Sequence, residues 1–474
     1  MLIIFVTLYI FLSVAIGLFV SRKVKTSRDF AMANRSLPLP IVIASVFATW
    51  FGAEAVFGIS ATFVDEGLNG VVADPFGASL CLIIAGIIFS KYLYKLNMIT
   101  LGDFYRKRYN KTIEIITTVI IMISYLGWVA AQITAIGLIL SALTNGQISE
   151  SLGMILGTLI IISYTSIGGM LSIAILDFVQ MLVIIIGLII ISYYVVGLTG
   201  GITPVINAAN NAGKLDFFPK GDIFLWLSFL ASFITMMLGS ITQQDVYQRI
   251  TSAKSAKIAL WGSIFGGLIY FIFAFIPMFI AYSAILIHPD FTVNISEINT
   301  QSMLPAFIIQ YTPLFAQILF FGAVLSAIMS TSSATILAPS VLFVENILKG
   351  FIPQMTDKKT LLFMRLTLVV FSFIVLIYAL NSELSIFGMV ESAYKVTLVG
   401  AFTPLIFGIF WKNSNDMGAF MSIIGGVGSW LVIELLYGDE FIIPSQLVGL
   451  AISISGMLIG SIFFKTNLKN KLII

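Results

Sequence analysis

Apolar runs of about twenty residues recur from one end of the chain to the other, separated by short polar stretches. Each is long enough to cross a hydrocarbon core of about 30 Å. About thirteen spans can be read, at 3–21, 38–64, 73–94, 113–143, 151–168, 171–198, 223–248, 257–286, 303–344, 362–381, 384–411, 417–437 and 443–464. The ninth is long and is expected to include a short external helix ahead of its span. The pattern predicts an all-α membrane protein with no soluble domain in its loops. Two spans break the pattern. Span 2 carries "ATWFGAEA", which holds Gly52 and Glu54, with Gly58 soon after. Span 7 carries "MMLGSITQQD", where Gly239, Ser240, Thr242, Gln243 and Gln244 interrupt an apolar run. The acid and the two glycines predict that span 2 unwinds at its middle. Interrupted segments at corresponding places in two halves point to a transporter binding site. Spans 2–6 and 7–11 would form such halves in opposite orientation, with spans 1, 12 and 13 peripheral.

Charge orients the chain. Of its 474 residues 59% are hydrophobic and 10% charged, against about 25% charged in soluble domains. Threading the spans alternately places all but three of the 25 Lys and Arg on one face, in clusters such as "SRKVKTSR", "YRKRYNK", "QRITSAKSAK" and the tail "KTNLKNK". Lys214 and Lys220 fall on the other face and Lys395 within a span. The positive-inside rule then predicts an external N-terminus and a cytoplasmic C-terminus. The first apolar run has no basic segment ahead of it and no clear cleavage site, so it is expected to be a span rather than a secretory signal. The short loops favour a multi-pass protein of a bacterial inner membrane.

Candidate chemistry is sparse. The single cysteine, Cys81, reads as a small core residue and excludes an internal disulfide. The single histidine, His288, beside Pro289, reads as a solvated loop residue, which argues against His–Cys metal sites and Ser–His triads. The intramembrane acids are informative, because a charge at a helix centre costs about 2.5–3.5 kcal/mol. In "ESAYK", Glu391 has Lys395 one turn on, and the pair reads as a structural ion pair, with gating or substrate contact as the alternative. Glu54 and Asp177 have no basic residue within a turn, so a cation from solution is the expected compensation. Asp74 in "ADPFG" reads either as a helix cap before Pro75 or as a polar group facing a cavity. Trp50, Phe51 and Trp128 read either as packing or as pocket lining. In "AVLSAIMSTSSATIL" four hydroxyls, Ser330 to Ser333, stand in a row. They exceed the need for interhelical hydrogen bonds, and Ser330 and Thr331 offer oxygens to a small hard cation.

Four stretches together carry a resemblance: "GGMLSIAILDFVQ" (168–180), "TLGDFYRKRYNKT", "QRITSAKSAKIA" and "AIMSTSSATIL". In this order, on about thirteen spans, the chain resembles the sodium:solute symporter family over nearly its whole length. The resemblance implies a LeuT-type 5+5 inverted repeat with one extra N-terminal and two extra C-terminal helices. It also implies sodium-coupled symport of a small organic solute by alternating access. One transmembrane domain, 1–474, is expected. It would comprise a peripheral helix and cytoplasmic loop (1–37), a first repeat (38–198), a second, inverted repeat (223–411) and peripheral C-terminal helices (412–474). The main sodium site is implied at the carbonyls of Ala48, Phe51 and Ala327 and the hydroxyls of Ser330 and Thr331. A second sodium site is implied at Asp177 and Ser333, where Ala334 replaces a family serine; Asp177 reads alternatively as a gate or a proton acceptor. Leu176 stands where the family's threonine is usual. Glu54 and Asp74 match substrate-contacting positions of sugar-transporting relatives, and Trp50 and Trp128 would line the pocket. Met236, Gly239 and Tyr270 depart from the sugar pattern, so an amine-bearing or polyhydroxylated solute is favoured over an ordinary hexose. The partners implied are sodium, the solute and the bilayer, with no nucleic acid and no enzymatic activity. A membrane solute sensor and a passive uniporter or channel are the alternatives. The sensor is disfavoured because only about ten residues follow the last span, which leaves no output domain.

Overall fold

The computed structural model describes residues 1–288, 297–438 and 441–464. Pro289 and the basic tail from Lys465 lie outside the described residues. Among the described residues, eleven helices are long and apolar enough to cross a membrane. The pair Leu39–Trp50 and Glu54–Glu66, bent by 58°, makes a twelfth span. The thirteenth comes from the helix Glu150–Leu198, whose 49 residues would reach about 74 Å as one rod. It breaks at Gly169, with φ 51° and ψ −157°. Glycine is required there twice over, because a β-carbon would also lie 2.5 Å from the Phe30 ring.

The spans are therefore Leu2–Ser21 (1), Leu39–Trp50 with Glu54–Glu66 (2), Val72–Lys95 (3), Lys111–Leu143 (4), the two parts of Glu150–Leu198 (5 and 6), Ile223–Thr242 (7), Ala256–Ile287 (8), Leu314–Phe351 (9), Asp357–Leu380 (10), Ile386–Phe410 (11), Asp416–Leu436 (12) and Ser445–Phe463 (13). No strand occurs among the described residues. Polar residues just outside the apolar runs start the helices. Asn110 accepts from the Ile113 N–H at 3.0 Å, Asp222 from Phe224 and Leu225 at 3.1 and 3.2 Å, and Asn415 from Gly418 at 2.9 Å. Each satisfies an end N–H that has no partner within its helix.

Burial ranks the spans. Span 9 is buried on every side from Phe320 to Leu342, as befits a helix at the centre of a bundle. It packs against spans 2, 4 and 10 and the helix of spans 5 and 6. Span 1 turns Phe5, Leu8, Phe11 and Phe19 outward, and span 13 does so with Ile459, Ile462 and Phe463, where lipid replaces protein as the apolar partner.

Several expectations change. Span 7 ends at Thr242 rather than 248. The chain turns at Gln243 (ψ 136°), and Gln244–Ser252 forms a separate buried helix, since five polar residues in the six from Ser240 to Asp245 leave little to bury in lipid. A separate helix, Glu297–Tyr311, does precede span 9. Gly58 is not part of the span 2 break. It is helical (φ −65°, ψ −60°) and lies against Phe387 of span 11. Glu391 and Lys395 do not pair: Lys395 reaches Glu434 of span 12 at 3.7 Å, and Glu391 accepts from Ser232 of span 7 at 3.1 Å. His288 is not merely solvated, because its ring packs on Tyr311 with centroids 4.8 Å apart. Cys81 is buried and free, as a core residue.

Candidate functional site

The break in span 2 organises the site. The first helix of the pair ends at Trp50, and Phe51 leaves helical geometry (φ −87°, ψ 75°). The N–H of Ala53 then donates to Gln132 Oε1 of span 4 at 2.8 Å instead of back along its own helix. The Ala48 carbonyl, one turn before the break, accepts from Thr331 Oγ1 of span 9 at 3.3 Å. Gly52 is pressed between three spans. A β-carbon there would lie 2.6 Å from Glu54 Oε2, 2.7 Å from Gln132 Oε1 and 2.7 Å from Thr331 Oγ1. Its role is close approach, whereas Gly58 has none in the unwinding.

Below the break lies a carboxylate–hydroxyl cluster. Asp177 of span 6 accepts from Ser45 Oγ of span 2 and from Ser330 Oγ of span 9, both at 2.6 Å. Ser333 donates to the Ser330 carbonyl at 2.9 Å. The structure thus brings Ala48, Ser330, Thr331 and Asp177 together and adds Ser45. The oxygens offered here are carbonyl, hydroxyl and carboxylate, a donor set that suits hard cations. No cluster of three or more His, Cys, Asp or Glu side chains able to hold a metal occurs among the described residues, so an ion here would rely on backbone and hydroxyl oxygens beside the carboxylate of Asp177.

Above the cluster, aromatic rings converge. Trp50 lies 5.5 Å from Trp128 and 6.3 Å from Tyr394, and Trp128 lies 5.6 Å from Tyr394. Tyr125 stacks on Trp128 at 6.2 Å, and Phe51 meets Tyr270 edge-on at 5.9 Å. Glu54 is buried. Its two oxygens accept from Trp128 Nε1 at 2.9 Å and Gln132 Nε2 at 2.6 Å, so only neutral donors touch it. Asp74 is extended (φ −138°, ψ 119°) and accepts from Tyr270 Oη at 2.5 Å. Its carboxylate therefore faces span 8 and does not cap its own helix. Each buried acid thus holds an aromatic side chain: Glu54 holds Trp128, which lies beside Trp50 and Tyr394, and Asp74 holds Tyr270, which packs on Phe51.

Outside this group, a cavity of about 480 Å³ opens between the Glu54–Glu66 half of span 2 and span 11, lined by Thr62, Glu66, Glu383, Ser385, Phe387 and Glu391 among others. Phe387, which covers Gly58, is part of its wall, and its polar lining carries three acids, Glu66, Glu383 and Glu391.

Reading the sequence alone misses Ser45, Gln132, Tyr125, Asp245, Arg249 and Tyr394. A signal for some of them exists. Ser45 and Thr49, Trp128 and Gln132, and Asp245 and Arg249 are polar or aromatic pairs four apart, which places each pair on one helix face.

A broken second span, a central hydroxyl-bearing helix and a buried group of rings beside them define a LeuT-type transporter rather than an enzyme. A solved Na+-coupled sialic acid symporter, in a substrate-bound outward-open state, shares the fold with a TM-score of 0.84 at 20% identity, covering 100% of this chain and 99% of that one. Among curated proteins, the chain is 27% identical to the high-affinity choline transporter 1 of Torpedo marmorata, over 89% of this chain and 74% of that protein. It is 24% identical to the sodium/pantothenate symporter of Haemophilus influenzae, over 96% of each. The chain belongs to the sodium:solute symporter family, whose model matches residues 30–426. It is a multi-pass membrane protein, and sodium is its coupling ion.

Proposed function

We propose that the protein couples inward sodium movement to uptake of a small amine-bearing solute by alternating access. The observation that carries the reading is the Thr331–Ala48 contact, where a hydroxyl of span 9 meets a carbonyl at the break of span 2. In this reading sodium sits among the carbonyls of Ala48, Phe51 and Ala327 and the hydroxyls of Ser330 and Thr331. Unwound backbone supplying carbonyls to sodium is a recurrent transporter device. Sodium then holds span 2 against span 9 and completes the solute site formed by Trp50, Glu54, Asp74 and Trp128. Asp177 orients Ser330 from below and, with Ser333, is the candidate for a second ion. Spans 2–6 and 7–11 act as two inverted repeats that rock about this contact. The protein lies in a bacterial inner membrane with its N-terminus outside and its C-terminus in the cytoplasm.

An amine is supported over a hexose by ring faces, which attract cations, by two buried carboxylates that each accept from an aromatic side chain, Glu54 from Trp128 and Asp74 from Tyr270, and by relatives named for choline transport. The driving force suffices. A tenfold sodium gradient is worth about 1.4 kcal/mol and 100 mV about 2.3 kcal/mol per charge. Together they support accumulation of several hundredfold for a neutral solute, and the potential adds its own pull on a cation. Uptake into proteoliposomes is expected to require external sodium and to collapse when Ser330→Ala and Thr331→Ala are combined. Uptake of the same solute that persists at full rate without sodium would refute the coupling.

A further inference from the structure

The solute site as read above does not use Asp245, a buried acid on the helix Gln244–Ser252 that follows span 7. All nine residues of that helix are buried. Tyr125 Oη donates to Asp245 Oδ1 at 2.6 Å and Trp50 Nε1 donates to Oδ2 at 3.2 Å. The Asp245 N–H in turn donates to Tyr125 Oη at 2.9 Å. Arg249, one turn on, donates to Thr49 Oγ1 at 2.8 Å and to the Asp245 carbonyl at 3.3 Å, which leaves both carboxylate oxygens to the rings. One side chain from the helix Gln244–Ser252 thus fixes two rings of the aromatic group, Trp50 directly beside Trp128 and Tyr394, and Tyr125 stacked behind Trp128.

The chemistry of that contact has a direction. An aromatic ring is negative on its face and positive at its edge. An anion accepting the edge N–H or O–H polarises that bond and shifts electron density toward the ring face. A cation over the face is then held more strongly, while a neutral molecule of the same shape gains little. Glu54 does the same for Trp128, so Trp50 and Trp128 each donate their edge N–H to a carboxylate.

We propose that Asp245 is a positioning residue that sets the charge preference of the solute site. By holding Trp50 and Tyr125 at their edges, it makes the aromatic group select a compact monocation, a quaternary or tertiary ammonium, over a neutral isostere. This inference rests on the amine reading above.

The test uses purified full-length protein at saturating sodium, with choline and its neutral carbon isostere 3,3-dimethylbutan-1-ol as probes, and measures binding by ligand-dependent thermal stabilisation. Wild-type protein is expected to prefer choline. Asp245→Asn, which keeps the shape and one acceptor oxygen for Trp50 Nε1 but turns an N–H donor toward Tyr125 Oη and removes the charge, is expected to weaken choline binding about tenfold and to leave the isostere within about twofold. Tyr125→Phe keeps the ring but removes its bond to Asp245, shifts the ratio the same way by less, and decides the matter if Asp245→Asn does not fold. Equal weakening of both probes marks a merely structural role and overturns the proposal. A wild-type preference for choline that survives both substitutions overturns this inference alone. A wild-type protein with no such preference overturns the cationic-solute reading and this inference with it.

Discussion

Replacing Gly52 by alanine tests the convergence of spans 2, 4 and 9 with a single methyl group. The added carbon would lie 2.6–2.7 Å from Glu54 Oε2, Gln132 Oε1 and Thr331 Oγ1, whereas a carbon–oxygen contact ordinarily stays at about 3.3 Å or more. None of the three atoms is a loose chain end. Gln132 holds Glu54 through Nε2 at 2.6 Å and Ala53 through Oε1 at 2.8 Å, and Thr331 holds the Ala48 carbonyl. Relief requires breaking one of these bonds or moving span 2 away from span 9. Overpacking of this kind costs about 1–3 kcal/mol, equivalent to about 5- to 150-fold in a binding constant. Because the movement opens the contact proposed to hold sodium, the loss is expected in the sodium half-saturation of uptake and in the sodium dependence of thermal unfolding. Gly58→Ala is the control. Its new carbon meets Phe387 at 3.4–3.5 Å, an ordinary contact, and sodium dependence is expected to stay as in the wild type. Wild-type sodium affinity and uptake in Gly52→Ala would refute the argument, since span 2 would then not need its close approach to Thr331.

Ser45→Ala and Asp177→Asn are expected to be non-additive in sodium affinity, with a coupling of about 0.5–3 kcal/mol, because Ser45 donates to Asp177 at 2.6 Å. Strict additivity in a double-mutant cycle read by sodium titration would show that the two act apart. Glu391→Gln and Lys395→Ala are expected to be additive in thermal stability, since Lys395 reaches Glu434 and not Glu391. The Lys395–Glu434 contact itself is expected to contribute no more than about 1 kcal/mol, and a clear coupling between Glu391 and Lys395 would contradict the observed pairing.

Hydropathy is a local property, and a bilayer makes it decisive. Each span must satisfy its own backbone where no water can, so apolar length placed the spans, apart from the polar end of span 7, which stops at Thr242. The same rule made the exceptions legible: Glu54 in span 2, the polar stretch that ends span 7 and the hydroxyl row from Ser330 each stood out against oil. Charge in the loops, read by the positive-inside rule, was equally local. Partnership was not. Ser330 meets Asp177 across 153 residues of chain, and Trp50 meets Asp245 across 195. Lys395 passes over the glutamate one turn away for one on the neighbouring span. Gly52 and Gly58 look alike as helix-weakeners, yet only the packing of three spans on Gly52 shows that its missing side chain serves contact. Sequence spacing orders residues along one helix, but which faces of different helices touch depends on crossing angles and close packing among all of them. The tertiary structure alone therefore decided which oxygens share a site and which acids stand behind the rings.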